Sequence, residues 1–198
     1  MIIDENLLLQ KGAMIEDYPA KEIIFQAGDA PHFYFQIMRG TVELNNYHED
    51  GKEFTLNILR EGQSVGESLL FSDNKYPMNA VTRTDCKILK LKKSDFLALV
   101  SENQSVMFDI FKNLSDRLYY KYVMLFNNSA MEPCTKIRSL IDYYKKCSHL
   151  HDRYAYQVPL TRQQIANLTG LRVETVIRAV KKMESDNLLK LEGRQIMY

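Results

Sequence analysis

Residues 160–183 read LTRQQIANLTGLRVETVIRAVKKM. Thr161 stands where a helix N-cap belongs, and Gln164 three residues on completes a capping box, so a short helix is predicted to open here. Ile165, Ala166 and Leu168 give that helix one apolar face. Gly170 then falls where a tight turn requires positive φ and close approach of two helices. A second helix is predicted from about Val173 to Glu184 or Ser185, with Val176, Val180 and Met183 on its inward side. Two short helices joined through a glycine turn, the second of them basic, form a helix-turn-helix pattern.

Such a pattern places the first turns of its second helix at base edges in the DNA major groove. Arg172, Glu174, Thr175 and Arg178 lie at or near those turns. Arginine pairs bidentately with guanine, and glutamate accepts a hydrogen bond from cytosine. Lys181 and Lys182, farther along, suit phosphates or solvent rather than bases. Beyond the helix, residues 187–191 (NLLKL), 192–194 (EGR) and 195–198 (QIMY) read as two short strands and their turn. The predicted domain is therefore a winged helix-turn-helix.

Charge supports this partition. The chain carries a net charge of +1, yet residues 1–100 hold 11 Lys and Arg against 15 Asp and Glu, while residues 131–198 hold 12 against 7. Phosphate neutralisation by Lys and Arg supplies most non-specific DNA affinity, so a basic C-terminal part suits a DNA reader, as it also suits a solvated basic helix face.

Upstream, no Gly or Pro interrupts residues 104–127. Met107, Phe111, Leu114, Leu118, Tyr122 and Leu125 recur at spacings of three and four, which draws one apolar stripe along a long helix. The stripe can dock on the domain before it; its length and position favour a two-fold dimer seam. Asn127, Asn128 and Ser129 form the hinge, and the second domain is expected to begin near Met131. Pro133 opens an amphipathic helix through residues 136–146, KIRSLIDYYKK.

The first hundred residues have a different period. Glycines at 28, 40, 51, 62 and 66 punctuate short alternating runs: 21–28 (KEIIFQAG), 32–47 (HFYFQIMRGTVELNNY), 53–66 (EFTLNILREGQSVG) and 85–91 (DCKILKL). Their Ile, Phe, Tyr, Val and Leu content and turn-forming boundaries predict strands, with a hairpin turn at Asp50-Gly51. Several short strands at such spacing argue for a jelly roll or barrel. Ser94 is expected to cap the helix that follows at Asp95 and Phe96. The fold class is thus α+β: an N-terminal β-roll (1–103), a dimerisation helix and hinge (104–128) and a winged helix-turn-helix (129–198).

Composition excludes several classes. Hydrophobic residues make up 45% of the 198 and charged residues 26%, the balance of a soluble globular protein. No apolar leader or spanning run is present, which predicts a cytoplasmic protein without membrane association. Three cysteines, Cys86, Cys134 and Cys147, are too few and too scattered for a disulfide framework or an iron–sulfur cluster. Cys147, His149 and His151 alternate along a polar stretch and read as a connector rather than a metal site. His32 and His48 fall in predicted turns. Glu67 has no paired acid, nucleophile or metal ligand beside it, so no enzyme is expected and no cofactor is required.

Residues 23–71 and 161–189 together resemble the cyclic AMP receptor protein and FNR family, and the resemblance covers nearly the whole chain. It implies a cyclic-nucleotide-binding type β-roll, a homodimer formed by the central helix, a palindromic operator on double-stranded DNA and contact with RNA polymerase. By position it implies that Glu174 and Arg178 touch bases, and that Thr161, Arg162, Gln163 and Thr175 lie near phosphates. The family's first base-reading arginine falls on Val173, with Arg172 one place earlier, which predicts a different operator half-site.

In the β-roll the resemblance assigns a ligand pocket to Gly66, Glu67, Met78, Asn79, Lys121 and Tyr122. Gly66 and Glu67 match the start of the family's phosphate cassette. The arginine and hydroxyl residue that close it fall on Met78 and Asn79, so the phosphate lacks its cation, and a buried phosphate without a cationic partner is costly. Arg83 lies a few residues on, and Lys121 can supply charge from the helix. The expectation is an effector that is absent or is not a standard cyclic nucleotide. The alternatives are a cyclic-nucleotide-responsive regulator and a cyclic-nucleotide-binding signalling module.

Overall fold

A computed structural model describes residues 2–129, 132–146, 150 and 152–198. The chain divides into two compact units, residues 1–118 and 119–198. Met131 and the Cys147, His149 and His151 alternation lie outside the described residues.

The first unit opens with helix α1 (Glu5–Gln10), whose N-cap Asp4 accepts from the Leu7 amide. Eight strands follow: β1 (Met14–Tyr18), β2 (Ile23–Phe25), β3 (Phe33–Arg39), β4 (Thr41–Tyr47), β5 (Glu53–Arg60), β6 (Ser64–Val65), β7 (Asn79–Thr82) and β8 (Cys86–Lys92). They form two antiparallel sheets with orders β1-β8-β3-β6 and β2-β7-β4-β5. This is the expected jelly roll.

Two of the runs read from sequence each split into a strand pair. Residues 32–47 break at Gly40, whose φ is +102° and where an added Cβ would lie 2.6 Å from the Asp85 carbonyl oxygen. Between β4 and β5 the chain reverses at Asp50-Gly51 as predicted, with the His48 amide donating to the Lys52 carbonyl at 2.9 Å. Strands β1 and β7 were outside the predicted runs.

Alternation along β4 and β7 sorts the side chains. Val42, Leu44 and Ala80 turn into a core with Phe25, Phe35, Ile37, Val65, Tyr76, Met78 and Ile88. Glu43 and Asn45, the intervening residues, are buried on the other face. A second core gathers Tyr34, Leu89, Leu91, Phe96, Leu99, Val106 and Ile110 around helix α2 (Lys93–Glu102) and the start of α3 (Gln104–Ser129). Helix α2 begins earlier than expected. Lys92 occupies the N-cap without a side-chain bond, and Ser94 lies inside the first turn, its hydroxyl toward the Asp95 carboxylate.

The predicted stripe of α3 divides. Met107 and Leu114 pack on the second core, whereas Phe111, Leu118, Tyr122 and Leu125 are between 51% and 73% exposed. Phe108 and Phe126 extend this exposed apolar set.

The second unit contains α4 (Pro133–Lys146), α5 (Arg162–Thr169), α6 (Val173–Ser185) and the antiparallel wing strands β9 (Lys190–Glu192) and β10 (Gln195–Met197). Ile137, Leu140 and Ile141 of α4, Ile165 and Leu168 of α5, and Val176, Val180 and Met183 of α6 supply its buried interior.

Candidate functional site

The helix-turn-helix is fixed by three local devices. Thr161 Oγ1 accepts from the Gln164 amide at 3.2 Å, while Gln164 Oε1 accepts from the Thr161 amide at 2.9 Å, so the capping box read from sequence is complete. Gly170 closes α5 at φ +68°, a left-handed conformation that costs glycine little. Thr169 then donates to the Ile165 carbonyl at 2.6 Å, which settles its own buried hydroxyl. Helix α6 follows with a fixed exit direction.

Helix α6 is divided sharply between an apolar and a charged face. Val176, Ala179, Val180 and Met183 are buried, and Arg172, Glu174, Arg178, Lys181 and Lys182 are exposed. Thr175 is half-buried on the flank. Arg172 occupies the N-cap. Among the described residues, Arg172, Glu174 and Arg178 form no ion pair or side-chain hydrogen bond with the rest of the chain. A rigid helix thus presents two cations and one anion with their hydrogen-bonding capacity unused.

The residues expected near phosphates are arranged less uniformly. Thr161 is exposed with its hydroxyl engaged in the cap. Gln163 is exposed and its amide donates to Asn167 Oδ1 at 2.8 Å. Arg162 turns away from both and donates to the Arg194 carbonyl in the wing. Burial lowers its pKa below the usual guanidinium value, Glu184 acting in the opposite sense. A second tie runs from the Leu191 amide to Glu184 Oε1 at 3.0 Å. The wing is therefore attached to both helices of the motif. Sequence reading missed these ties, because neither Arg162 nor Glu184 stands at an i+4 spacing from its partner.

In the β-roll, Gly66 (φ +71°) leads into a 3₁₀ turn, Glu67–Phe71. A Cβ on Gly66 would lie 2.8 Å from the Tyr76 ring and 3.0 Å from that of Phe25. Those two rings stack with centroids 3.6 Å apart and an interplanar angle of 9°. Met78, 8% exposed, belongs to the same core. The place above the Gly66-Glu67 turn is thus filled by apolar side chains. Tyr76 keeps its phenol proton to unusually high pH, because burial and then the Glu67 carboxylate disfavour the phenolate.

Glu67 is completely buried. Its Oε1 accepts from Asn113 Nδ2 at 2.9 Å and pairs with Arg117 Nε at 3.1 Å, while Oε2 and the Tyr76 hydroxyl have no partner among the described residues. Asn113 and Arg117 stand four apart on α3, away from the exposed apolar stripe. Polar neighbours on the same helix, Lys112, Ser115 and Asp116, left no sequence signal that singles out this pair.

Asn79 points to the other side of its sheet. Its Oδ1 accepts from the Ala27 amide at 2.9 Å, and its amide lies 3.4 Å from Asn45 Oδ1. Arg83 shares that side, pairing with Glu43 at 2.8 Å and with Glu53 at 2.5 Å. The arginine nearest to Asn79 in sequence is therefore committed to Glu43 and Glu53, while Arg117 is the arginine beside Glu67. Lys121 and Tyr122 belong to the second unit; both are exposed, and Lys121 Nζ lies 5.9 Å from the Tyr120 ring centroid. Within the first unit the structure brings Gly66, Glu67 and Met78 together and turns Asn79 to the other side of its sheet.

Among the described residues no group of His, Cys, Asp and Glu could hold a metal ion, and no helix is long and apolar enough to cross a membrane. Residues 15–103 match the cyclic nucleotide-binding domain, and residues 137–198 match the Crp-like helix-turn-helix domain. The cAMP-activated global transcriptional regulator CRP of Haemophilus influenzae is 26% identical over 185 residues, covering 92% of this chain and 83% of that protein. The cAMP-activated regulator Vfr of Pseudomonas aeruginosa is 23% identical, covering 91% and 86%.

Among solved structures, the c-di-GMP responsive global regulator CLP of Xanthomonas campestris superposes with a TM-score of 0.78 at 22% identity, covering 98% of each chain. A CooA mutant from Carboxydothermus hydrogenoformans gives a TM-score of 0.79 at 18% identity, covering 98% of this chain and 87% of its own. A cyclic nucleotide-binding type β-roll, a long helix and a capped helix-turn-helix occur here in one order on one chain, and two family models match it: the chain belongs to the Crp/Fnr family of helix-turn-helix transcription regulators.

Proposed function

We propose that the protein regulates transcription as a homodimer on a palindromic operator, with an effector that is absent or is not a standard cyclic nucleotide. The observation that carries the DNA reading is the exposed N-terminal half of α6, where Arg172, Glu174 and Arg178 stand unpaired on a capped scaffold. Arg172, Glu174, Thr175 and Arg178 read bases; Thr161 and Gln163 sit beside phosphates; Arg162 places the wing. The exposed apolar set on α3 supports self-association, since monomers rarely leave a large apolar patch in water. RNA polymerase is the protein partner expected of a Crp/Fnr regulator.

The proposed effector behaviour follows from the Phe25–Tyr76 stack on Gly66, with Met78 at the cassette position and Arg83 engaged by Glu43 and Glu53. A cyclic nucleotide there would have to displace a stacked aromatic pair and would meet no uncommitted arginine for its phosphate, since Arg117 is paired with Glu67 and Arg83 with Glu43 and Glu53. The second reading, cyclic-nucleotide responsiveness, draws on the kept Gly66-Glu67 pair and on relatives named as cAMP-activated. Calorimetry with cyclic AMP and cyclic GMP separates the two: sub-micromolar binding establishes the second and rejects the first.

The DNA reading is tested by selecting operators from random duplexes and measuring fluorescence anisotropy at physiological salt. Expected are two chains per duplex, half-sites about one helical turn apart and affinity that falls steeply as salt rises. Equal binding to selected and random duplexes would reject it.

A further inference from the structure

One residue on the exposed side of α6 does not match its surroundings. Ile177 is 42% exposed, next to Arg178, three residues after Glu174 and four before Lys181. The inward positions of the helix are filled by Val176, Ala179, Val180 and Met183, so Ile177 contributes little to the interior. A β-branched residue is a poorer helix former than alanine, and in water its exposed part gains nothing from burial.

Its neighbour across one turn is Val173, half-buried and four residues earlier, which lies on the same side of the helix. Val173 occupies the position where the resemblance would place a base-reading arginine. Two branched apolar side chains thus form a short strip along the flank of a helix whose outer surface is otherwise charged. Base edges in the major groove carry hydrogen-bonding groups and one apolar group, the 5-methyl of thymine.

We propose that Ile177, backed by Val173, determines operator specificity by apolar contact with a thymine methyl group in each half-site. The assignment rests on the DNA reading of α6 given above. It makes thymine the required base at one fixed position in each half-site, beside those read by Glu174 and Arg178. Burying one methyl group against a hydrocarbon side chain corresponds to about a fourfold gain in affinity per half-site.

The experiment uses the full-length chain and its selected operator, with each thymine replaced in turn by deoxyuridine, which removes only the methyl. In the wild type, one symmetric pair of replacements is expected to weaken binding by about 15-fold, fourfold from each half-site. Ile177→Ala is expected to bind the unmodified operator about tenfold more weakly and to be indifferent to that replacement, while Ile177→Val keeps part of the penalty. Thermal unfolding of both variants, at an exposed position, should match the wild type. A selected operator on which wild type and Ile177→Ala show equal deoxyuridine penalties would overturn this assignment and leave the DNA reading standing. Selection that enriches no sequence would overturn both.

Discussion

The partly buried cations of the first unit and the exposed arginines of α6 are used differently. In the first unit, the partly buried cations Arg83, Lys90 and Arg117 are engaged within the chain: Arg83 with Glu43 and Glu53, Lys90 with Glu16, and Arg117 with Glu67. In the winged unit, Arg172 and Arg178 stand exposed on α6 with no intramolecular partner among the described residues, although Glu174 is on the same helix. A cation committed to a neighbour holds structure and is costly to recruit. One left unpaired on a rigid helix is available to a partner without prior rearrangement.

The sharpest way to break this contrast is to remove an uncommitted cation. Arg178→Ala is expected to reduce operator affinity by about 30-fold or more, since a bidentate base contact contributes about 1–3 kcal/mol and a dimer makes it twice. Its unfolding should be unchanged, because the side chain is exposed and unpaired. An anisotropy titration within threefold of wild type would show that α6 does not read the operator through this residue.

The next effect belongs to the β-roll. Tyr76→Ala removes one ring of the stacked pair and is expected to cost about 3 kcal/mol, in the range of large core truncations. Tyr76→Phe should change stability by less than about 0.5 kcal/mol, because the hydroxyl has no hydrogen-bond partner among the described residues. Hydrogen exchange of the β8 amides under urea reports both. A large loss in Tyr76→Phe would show that the hydroxyl is bonded in solution.

The smallest expected effect tests the scaffold of the reading helix. Thr161→Ala removes the side-chain half of the capping box and should destabilise the winged unit by about 1 kcal/mol. Amide exchange in α5 checks this, and unaltered protection would show that Gln164 alone holds the helix start.

These contrasts were unevenly visible in the sequence. The Thr161 cap, the Gly170 turn and the inward Val176, Val180 and Met183 were legible because each obeys a rule acting within a few residues. The hairpin at Asp50-Gly51 was legible for the same reason. Strand β1 was not: Met14 and Ile15, at 55% and 45% exposure, lack the alternation that marks a half-buried strand. The start of α2 was misplaced because Ser94 suits a cap chemically, while the chain enters the helix from β8 through Lys92 without one.

In the pocket, the burial of Met78 fits the apolar residue read there, while its match to the family's phosphate arginine rests on the resemblance alone. The aromatic pair that fills the space was not legible, since Phe25 and Tyr76 are distant in sequence and their stacking is a product of the closed roll. The Arg162 tie to the wing was hidden for the same reason: a 32-residue separation leaves no local trace.

Gly66 carries a consequence for how such sequences are searched. A glycine before Glu67 is the mark of a backbone that lets a phosphate come close, and here the missing side chain makes room for a tyrosine ring instead. Two letters of sequence therefore satisfy two unrelated spatial demands. A pattern keyed to them retrieves the shape of the roll, and on the effector reading proposed above the residues to compare are Phe25 and Tyr76 against Gly66, with Met78 in the same core.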